Sequence, residues 1–348
     1  MAQAGNRMGD AARREPALAR GLSGWIALSD LPLPEPRDRR VLEKGQFIAE
    51  LSLPLTAQAV ILDHRDASGD VFSVFADPQS GLSVLQRQGD RLVRHVLPGP
   101  LPVAGGAARL TYGWSIPDAC WSLSLVPLHG GEGLGTQGRN PVAPRLSHLH
   151  ALCRKDAPRH PALLWCGATE AEALPDPGPW IGTATLVETA RGPVPAGQLR
   201  PGERIRTADN GLVPLLGIDR VVTPSRGSLS PVLLRGAFFG SNGDILVSPD
   251  QPVWYEGPDA EYLFGEDEVL VAARHLVDGQ CALWDDRRSL AVGVILDLGM
   301  PELLVCGGCR LTSRIAPGQI APRRLLEGYE TIPLSARLQG GRRAVIGG

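Results

Sequence analysis

The chain holds 348 residues, 43% of them hydrophobic and 21% charged, a balance that excludes wholesale disorder, a collagen-like repeat and a coiled coil. The length accommodates two domains of ordinary size. Its 35 basic and 37 acidic side chains leave a formal charge of -2, which provides no field to hold a polyanion, so nucleic acid is excluded as a main partner.

Residues 1–21 are rich in Ala, Arg and Gly without periodicity and are expected to form a disordered leader. They contain no continuous apolar segment of signal-peptide type, and nowhere do 18 uncharged apolar residues run together. Neither a signal peptide nor a membrane span is therefore expected. The expected location is cytoplasmic, or outside the cell by a route that needs no signal peptide. Six cysteines, at positions 120, 153, 166, 281, 306 and 309, are too sparse for a disulfide scaffold and fit a reducing compartment.

From Gln46 the sequence alternates: Phe47, Ala49, Leu51 and Leu53 fall on one face, while Gln46, Glu50 and Ser52 lean outward, as in a half-buried strand. The same period returns in VFSVFADP, in GLSVLQRQGDRLVRHVLP with a turn at Gln88-Gly89-Asp90, and in ARLTYGWSIPDACWSLSLV with a turn at Ile116 to Ala119. The last two read as hairpins. In the second, Leu110, Tyr112 and Trp114 can meet Trp121, Leu123 and Leu125 on a common face. An all-β sandwich over 22–130 is expected, and its hairpin rhythm loosely resembles laminin-G and concanavalin-type lectin sandwiches. Residues 131–179, rich in Gly, Ala and Pro, read as a linker with a short helix in SHLHALCR. Turn signals at Arg191-Gly192, Arg200-Pro201-Gly202, Asp209-Asn210-Gly211 and Asn242-Gly243-Asp244 then punctuate a second all-β domain over 180–325, with a tail over 326–348.

The segment TATLVETARGPVPAGQLRPGERIRTADNGLVPLLGIDRV resembles the opening of a Hint (hedgehog/intein) domain, in the bacterial form with a Leu-Arg-Pro-Gly-Asp motif. DILVSPDQPVWYEG is similar to the family's strand bearing Ser-Pro-x-His or Thr-x-x-His, and EVLVAARHLVDG to the piece that follows it. The resemblance spans about Trp180 to Leu325 and implies a pseudo-symmetric, horseshoe-like β disk. It also implies an autocatalytic acyl shift. A Cys or Ser at the start of the domain attacks the preceding carbonyl, and the motif His assists the departing amide nitrogen. Splicing relatives add a terminal Asn that cyclises.

The reactive groups are missing here. Counting back twelve positions from Gly192, as the family's spacing requires, places Trp180 where the nucleophile belongs, and an indole cannot attack a carbonyl. Ser248-Pro249-Asp250-Gln251 places Gln251 at the His position, and a primary amide cannot shuttle a proton near neutral pH. Asn6, Asn140, Asn210 and Asn242 all lie away from the domain's end. Thr183 and Thr185 are the substitute nucleophiles that a slipped register would allow, and Thr185 is otherwise expected as a structural hydrogen-bonder. His275 could be an orphan base.

Other residues carry weaker signals. Cys306-Gly307-Gly308-Cys309 has C-x-x-C spacing, yet no second pair completes a zinc knuckle, and His148, His150, Cys153, His160 and Cys166 match no usual ligand spacing. A Gly-Gly turn between half-buried thiols is the simpler reading. Glu261, Glu266, Asp267 and Glu268 lack the alternation of a calcium loop. Trp114 and Trp121 would suit either a core or a sugar-stacking platform. The expected protein is a Hint domain that has lost self-processing and acts as a structural or interaction module for a protein or glycan partner, without a cofactor or metal. The alternatives are autoproteolytic release of the N-terminal domain near residue 180, and carbohydrate binding by the sandwich.

Overall fold

The computed structural model describes residues 24–29, 31, 40–103, 105–128, 130–170 and 178–334. The expected leader and residues 335–348 of the expected tail lie outside them. The fold is all-β, built from antiparallel sheets.

Strands β1 (Trp25–Leu28), β2 (Lys44–Leu53), β3 (Ala59–Arg65), β4 (Val71–Asp77), β5 (Gly81–Gln88), β6 (Arg91–Pro98), β7 (Gly106–Ser115), β8 (Cys120–Pro127), β9 (Leu134–Arg139) and β10 (Leu163–Thr169) form two of these sheets. The first runs β1-β10-β2-β7-β8-β9 and the second β3-β4-β5-β6. One core lies between them. Phe47, Ala49, Leu51 and Leu53 of β2 meet Phe72 and Val74 of β4 there, with Leu110 and Tyr112 of β7, as the alternation requires. In the β7–β8 hairpin Leu110 stands opposite Leu125, Tyr112 opposite Leu123, and Trp114 opposite Trp121. The turn between them closes with Ala119 at φ 49°.

Residues 131–170 of the passage expected as a linker, 131–179, do not behave as one. They supply the edge strand β9, a helix α1 (Leu146–Cys153) whose Leu149, Leu152 and Cys153 enter the core, and strand β10, which inserts between β1 and β2. The second half of β10 is buried on both faces. A doubly buried strand shows no alternation, so LLWCGAT carries no period-two signal.

The remaining strands are β11 (Ile181–Gly182), β12 (Leu186–Thr189), β13 (Gly192–Pro195), β14 (Arg204–Thr207), β15 (Gly211–Pro214), β16 (Gly217–Pro224), β17 (Val232–Leu234), β18 (Ile245–Val247), β19 (Pro252–Glu256), β20 (Glu268–Ala272), β21 (Ala282–Trp284), β22 (Leu290–Asp297), β23 (Leu303–Cys306) and β24 (Cys309–Thr312). One sheet runs β16-β22-β11-β18-β17-β21, the other β13-β12-β14-β23-β24-β19-β20 with β15 paired to β14. They enclose a second core that includes Val187, Ile205, Val247, Val294 and Leu311. Short helices α2 (Gly236–Phe239) and α3 (Pro258–Phe264) sit in the connections. The expected tail begins too early. Leu326 and Leu334 are buried against Ala260, Val269 and Val271, and Leu326 donates its N–H to the Leu270 carbonyl at 2.9 Å. Apolar side chains this close to a strand are held by burial whatever the polarity between them.

The two halves meet on the outer face of the first sheet. There Trp25, Leu28, Ile48 and Trp165 pack with Leu229 and Leu290. Glu50, which alternation turns away from the sandwich core, is fully buried beneath the turn that follows β16.

Candidate functional site

Strand β11, two residues long, is paired on both sides: Ile181 pairs with Val247 of β18 and with Val294 of β22. Trp180 precedes it and continues the pairing through a reciprocal clamp. Its N–H donates to Ser248 Oγ at 3.0 Å, and the Ser248 N–H donates to the Trp180 carbonyl at 3.0 Å. The indole is 2% exposed and lies on the bare backbone of Gly293, where an added Cβ would stand 2.3 Å from the ring. Ala291, Ile295, Val221 and Leu246 complete its walls. Glycine is needed at 293 for this close approach, not for a special backbone angle.

Residues Ser248 to Gln251 form a turn closed by the Gln251 N–H on the Ser248 carbonyl at 3.1 Å. The Gln251 amide nitrogen points to β24, donating to the Thr312 carbonyl at 3.0 Å, to Thr312 Oγ1 at 3.1 Å and to the Pro252 carbonyl at 3.2 Å. Two N–H groups shared among three acceptors fully occupy this donor. The side chain is 1% exposed and ties the start of β19 to β24.

The structure thus brings Trp180 and Ser248 into contact and places Gln251 in the same turn as Ser248. Thr183 and Thr185 follow β11. The Thr183 carbonyl accepts from the Gly197 N–H at 2.9 Å, and the Thr185 N–H donates to the Gly182 carbonyl at 3.0 Å. The Thr185 hydroxyl, expected to bond, is buried without a hydrogen-bond partner among the described residues. His275 sits in the 3-10 turn after β20 and lines a cleft of 290 Å³ with Phe238, Phe239, Trp254 and Cys309, a cleft whose walls include none of Trp180, Ser248 and Gln251. Burial, and then the neighbouring Arg274, hold the His275 pKa below its usual value.

Cys306 and Cys309 face each other across the Gly307-Gly308 turn that joins β23 to β24, with Gly307 at φ 67°. Both are free and buried. Burial pushes the Cys309 thiol up to about 12 and the Cys306 thiol well above its usual range. Thiols held protonated in this way are poor nucleophiles and poor metal ligands.

The five His and Cys residues of 148–166 do not gather into one ligand set among the described residues. His150 contacts the Ile26 carbonyl at 2.9 Å, the sulfurs of Cys153 and Cys166 lie 3.8 Å apart, and His160 Nδ1 accepts from the Ala162 N–H at 3.2 Å. One group that sequence reasoning missed does gather: Asp66, Asp70 and His148, with potential ligand atoms within 4.8 Å of one another. His148 lies about eighty positions from Asp66 and Asp70, and only the fold of α1 against the β3–β4 turn joins it to them. Both carboxylates already have protein partners, since His148 Nε2 meets Asp66 at 3.1 Å and Arg145 meets Asp70 at 3.2 Å. Burial works to raise the Asp66 pKa, but hydrogen bonds led by Ser68 and His148 outweigh it and hold the carboxyl far below its usual range. Trp114 is buried and donates to the Leu42 carbonyl at 2.7 Å, so it offers no face to a sugar. Trp121 is half-buried under Gly138 and against His95.

Residues 182–299 match a family model described as Hint domain. The chain carries a Hint domain. Its fold is of the hedgehog/intein autoprocessing type, and Trp180 and Thr312 flank the matched segment on either side. No curated protein matches the chain. Among solved structures, it is similar to the crystal structure of xylan beta-1,4-xylosidase from Bacillus Halodurans C-125 at 14% identity and a TM-score of 0.21, over 36% of this chain and 24% of that one. The likeness thus spans about a quarter of that enzyme and carries no argument about fold or substrate. No helix among the described residues is long and apolar enough to cross a membrane.

Proposed function

We propose that this Hint domain no longer processes itself and serves as a structural and interaction module. One observation carries the reading: the position where relatives place a nucleophile holds a buried tryptophan whose ring fills the space and whose backbone is clamped to Ser248. An indole cannot form the ester or thioester that begins the acyl shift. Gln251 supports the same reading, because its amide is committed to Thr312 and Pro252 and has no proton to exchange near neutral pH. Asn210, the Asn nearest the Leu-Arg-Pro-Gly-Glu motif, donates to Glu302 at 2.8 Å rather than standing at a scissile bond. The proposed partner is a protein or a glycan.

Intact-mass spectrometry after prolonged warm incubation, with and without dithiothreitol or hydroxylamine, tests the proposal. A single unchanged 37.0 kDa species is expected. Fragments that split at or near Trp180 overturn it and make Thr183→Ala and Thr185→Ala the next variants.

A further inference from the structure

The outer face of the first sheet carries a charge where a sheet covered by another domain would ordinarily be apolar. Glu50 of β2, Arg109 of β7 and Trp165 of β10 are cross-strand neighbours on that face. The Glu50 side chain is 1% exposed, and a carboxylate so deeply buried is costly unless charge and hydrogen bonds compensate it. The Hint half supplies the compensation. Ser228 donates its N–H to Glu50 Oε2 at 3.0 Å and its hydroxyl to Oε1, while Arg109 approaches Oε1 at 3.3 Å and also donates to the Ser228 hydroxyl. The turn that delivers Ser228 fits closely. Gly227, at φ 52°, lies so near the Glu50 carboxylate and the Trp165 indole that an added Cβ would stand 2.0 Å from one and 2.3 Å from the other. Around this polar centre lie Trp25, Leu28, Ile48 and Trp165 of the first half, with Leu229 and Leu290 of the second.

We infer that the β10-β2-β7 face around Glu50 is a specific docking surface for the 226–230 turn of the Hint domain, able to hold the two halves together without the covalent connection at 171–177. The apolar ring supplies attraction. The carboxylate supplies selectivity, because any other surface lacking donors at Ser228's position would bury it unpaired. A cut near Trp180, by whatever agent, would then yield a two-chain complex rather than a released N-terminal half. The inference is independent of whether the Hint domain processes itself.

The test uses the full chain with residues 171–177 replaced by the recognition sequence of a site-specific protease, cut after purification and passed over a sizing column at about 1 μM, a concentration that resolves micromolar from nanomolar association. Both fragments are expected to co-elute at the mass of the uncut protein, and to do so in high salt as well, because a buried contact is weakly screened. Gly227→Ala and Glu50→Ala, each verified as folded before cutting, are expected to weaken association by about 30-fold or more. Separation of the cut parent protein overturns the inference. Co-elution that neither variant weakens overturns the assignment of the surface. Gly227→Ala, on a turn outside both cores, keeps the test open if Glu50→Ala does not fold.

Discussion

The junction at Trp180 and the seam at Glu50 are both buried places where the chain spends polar groups, and they solve the problem in opposite ways. At Trp180 the hydrogen-bond partners are neutral, the hydroxyl and the backbone N–H of Ser248, and both lie within the Hint half. At Glu50 a full charge is buried between the halves and met by a guanidinium and a serine. A neutral site within one half keeps its geometry across pH and salt. A charged seam depends on both halves being present. On the proposed reading the Trp180 position serves packing, and the more demanding electrostatics lie at the contact with the rest of the chain.

Four measurements would break or sharpen that contrast. Trp180→Ala should be the most damaging, because it empties a pocket walled by Gly293, Ala291 and Ile295. About 3–5 kcal/mol is expected from the loss of a buried aromatic, read by urea unfolding, and Trp180→Phe should recover much of it. If Trp180→Ala costs less than 1 kcal/mol, the junction is not a packing site. Glu50→Ala in the uncut chain should cost about 2–3 kcal/mol, less than for a fully enclosed pair, since Arg109 keeps some access to water. Restoring an acceptor with Glu50→Gln should recover part of it.

The third measurement concerns pH. His95 is buried between the rings of Tyr112 and Trp121, with its Nε2 lacking a hydrogen-bond partner among the described residues. Burial, aided by Arg91, lowers its pKa to about 4. The unfolded chain therefore takes up this proton first as pH falls. Its neutral form supports the fold fully above pH 6.5, and that support is lost between 6.5 and about 4, by about 2–3 kcal/mol. His95→Phe should flatten the pH dependence of unfolding in this window. Persistence of the full slope in the variant would place its origin elsewhere. The smallest effect is chemical. Cys120 is the exposed thiol of the six, so alkylation of the native protein should add one adduct quickly and leave Cys306 and Cys309 untouched until denaturation. Rapid labelling of the last two would show that the β23–β24 turn opens.

Much of the sandwich was legible because its strands bury one face. The alternation of Phe47, Ala49, Leu51 and Leu53, and the facing sets in the β7–β8 hairpin, appear in the fold at the expected register. Strand β10 was not legible, since a strand buried on both faces gives no alternation. The cluster of Asp66, Asp70 and His148 was equally hidden, because no local pattern links a hairpin turn to a helix so far along the chain.

At the candidate site the sequence by itself determined the chemical types, an indole at 180 and a primary amide at 251, and neither can serve as the nucleophile or the proton shuttle that the proposed reading finds absent. How these side chains are held was a tertiary matter. Only the packed structure sets Trp180 on Gly293, commits Gln251 to Thr312 and drops Ser228 onto Glu50. Alternation assigns a side chain to one face of a strand, but whether that face meets water or another half of the molecule depends on contacts between residues as far apart as Glu50 and Ser228.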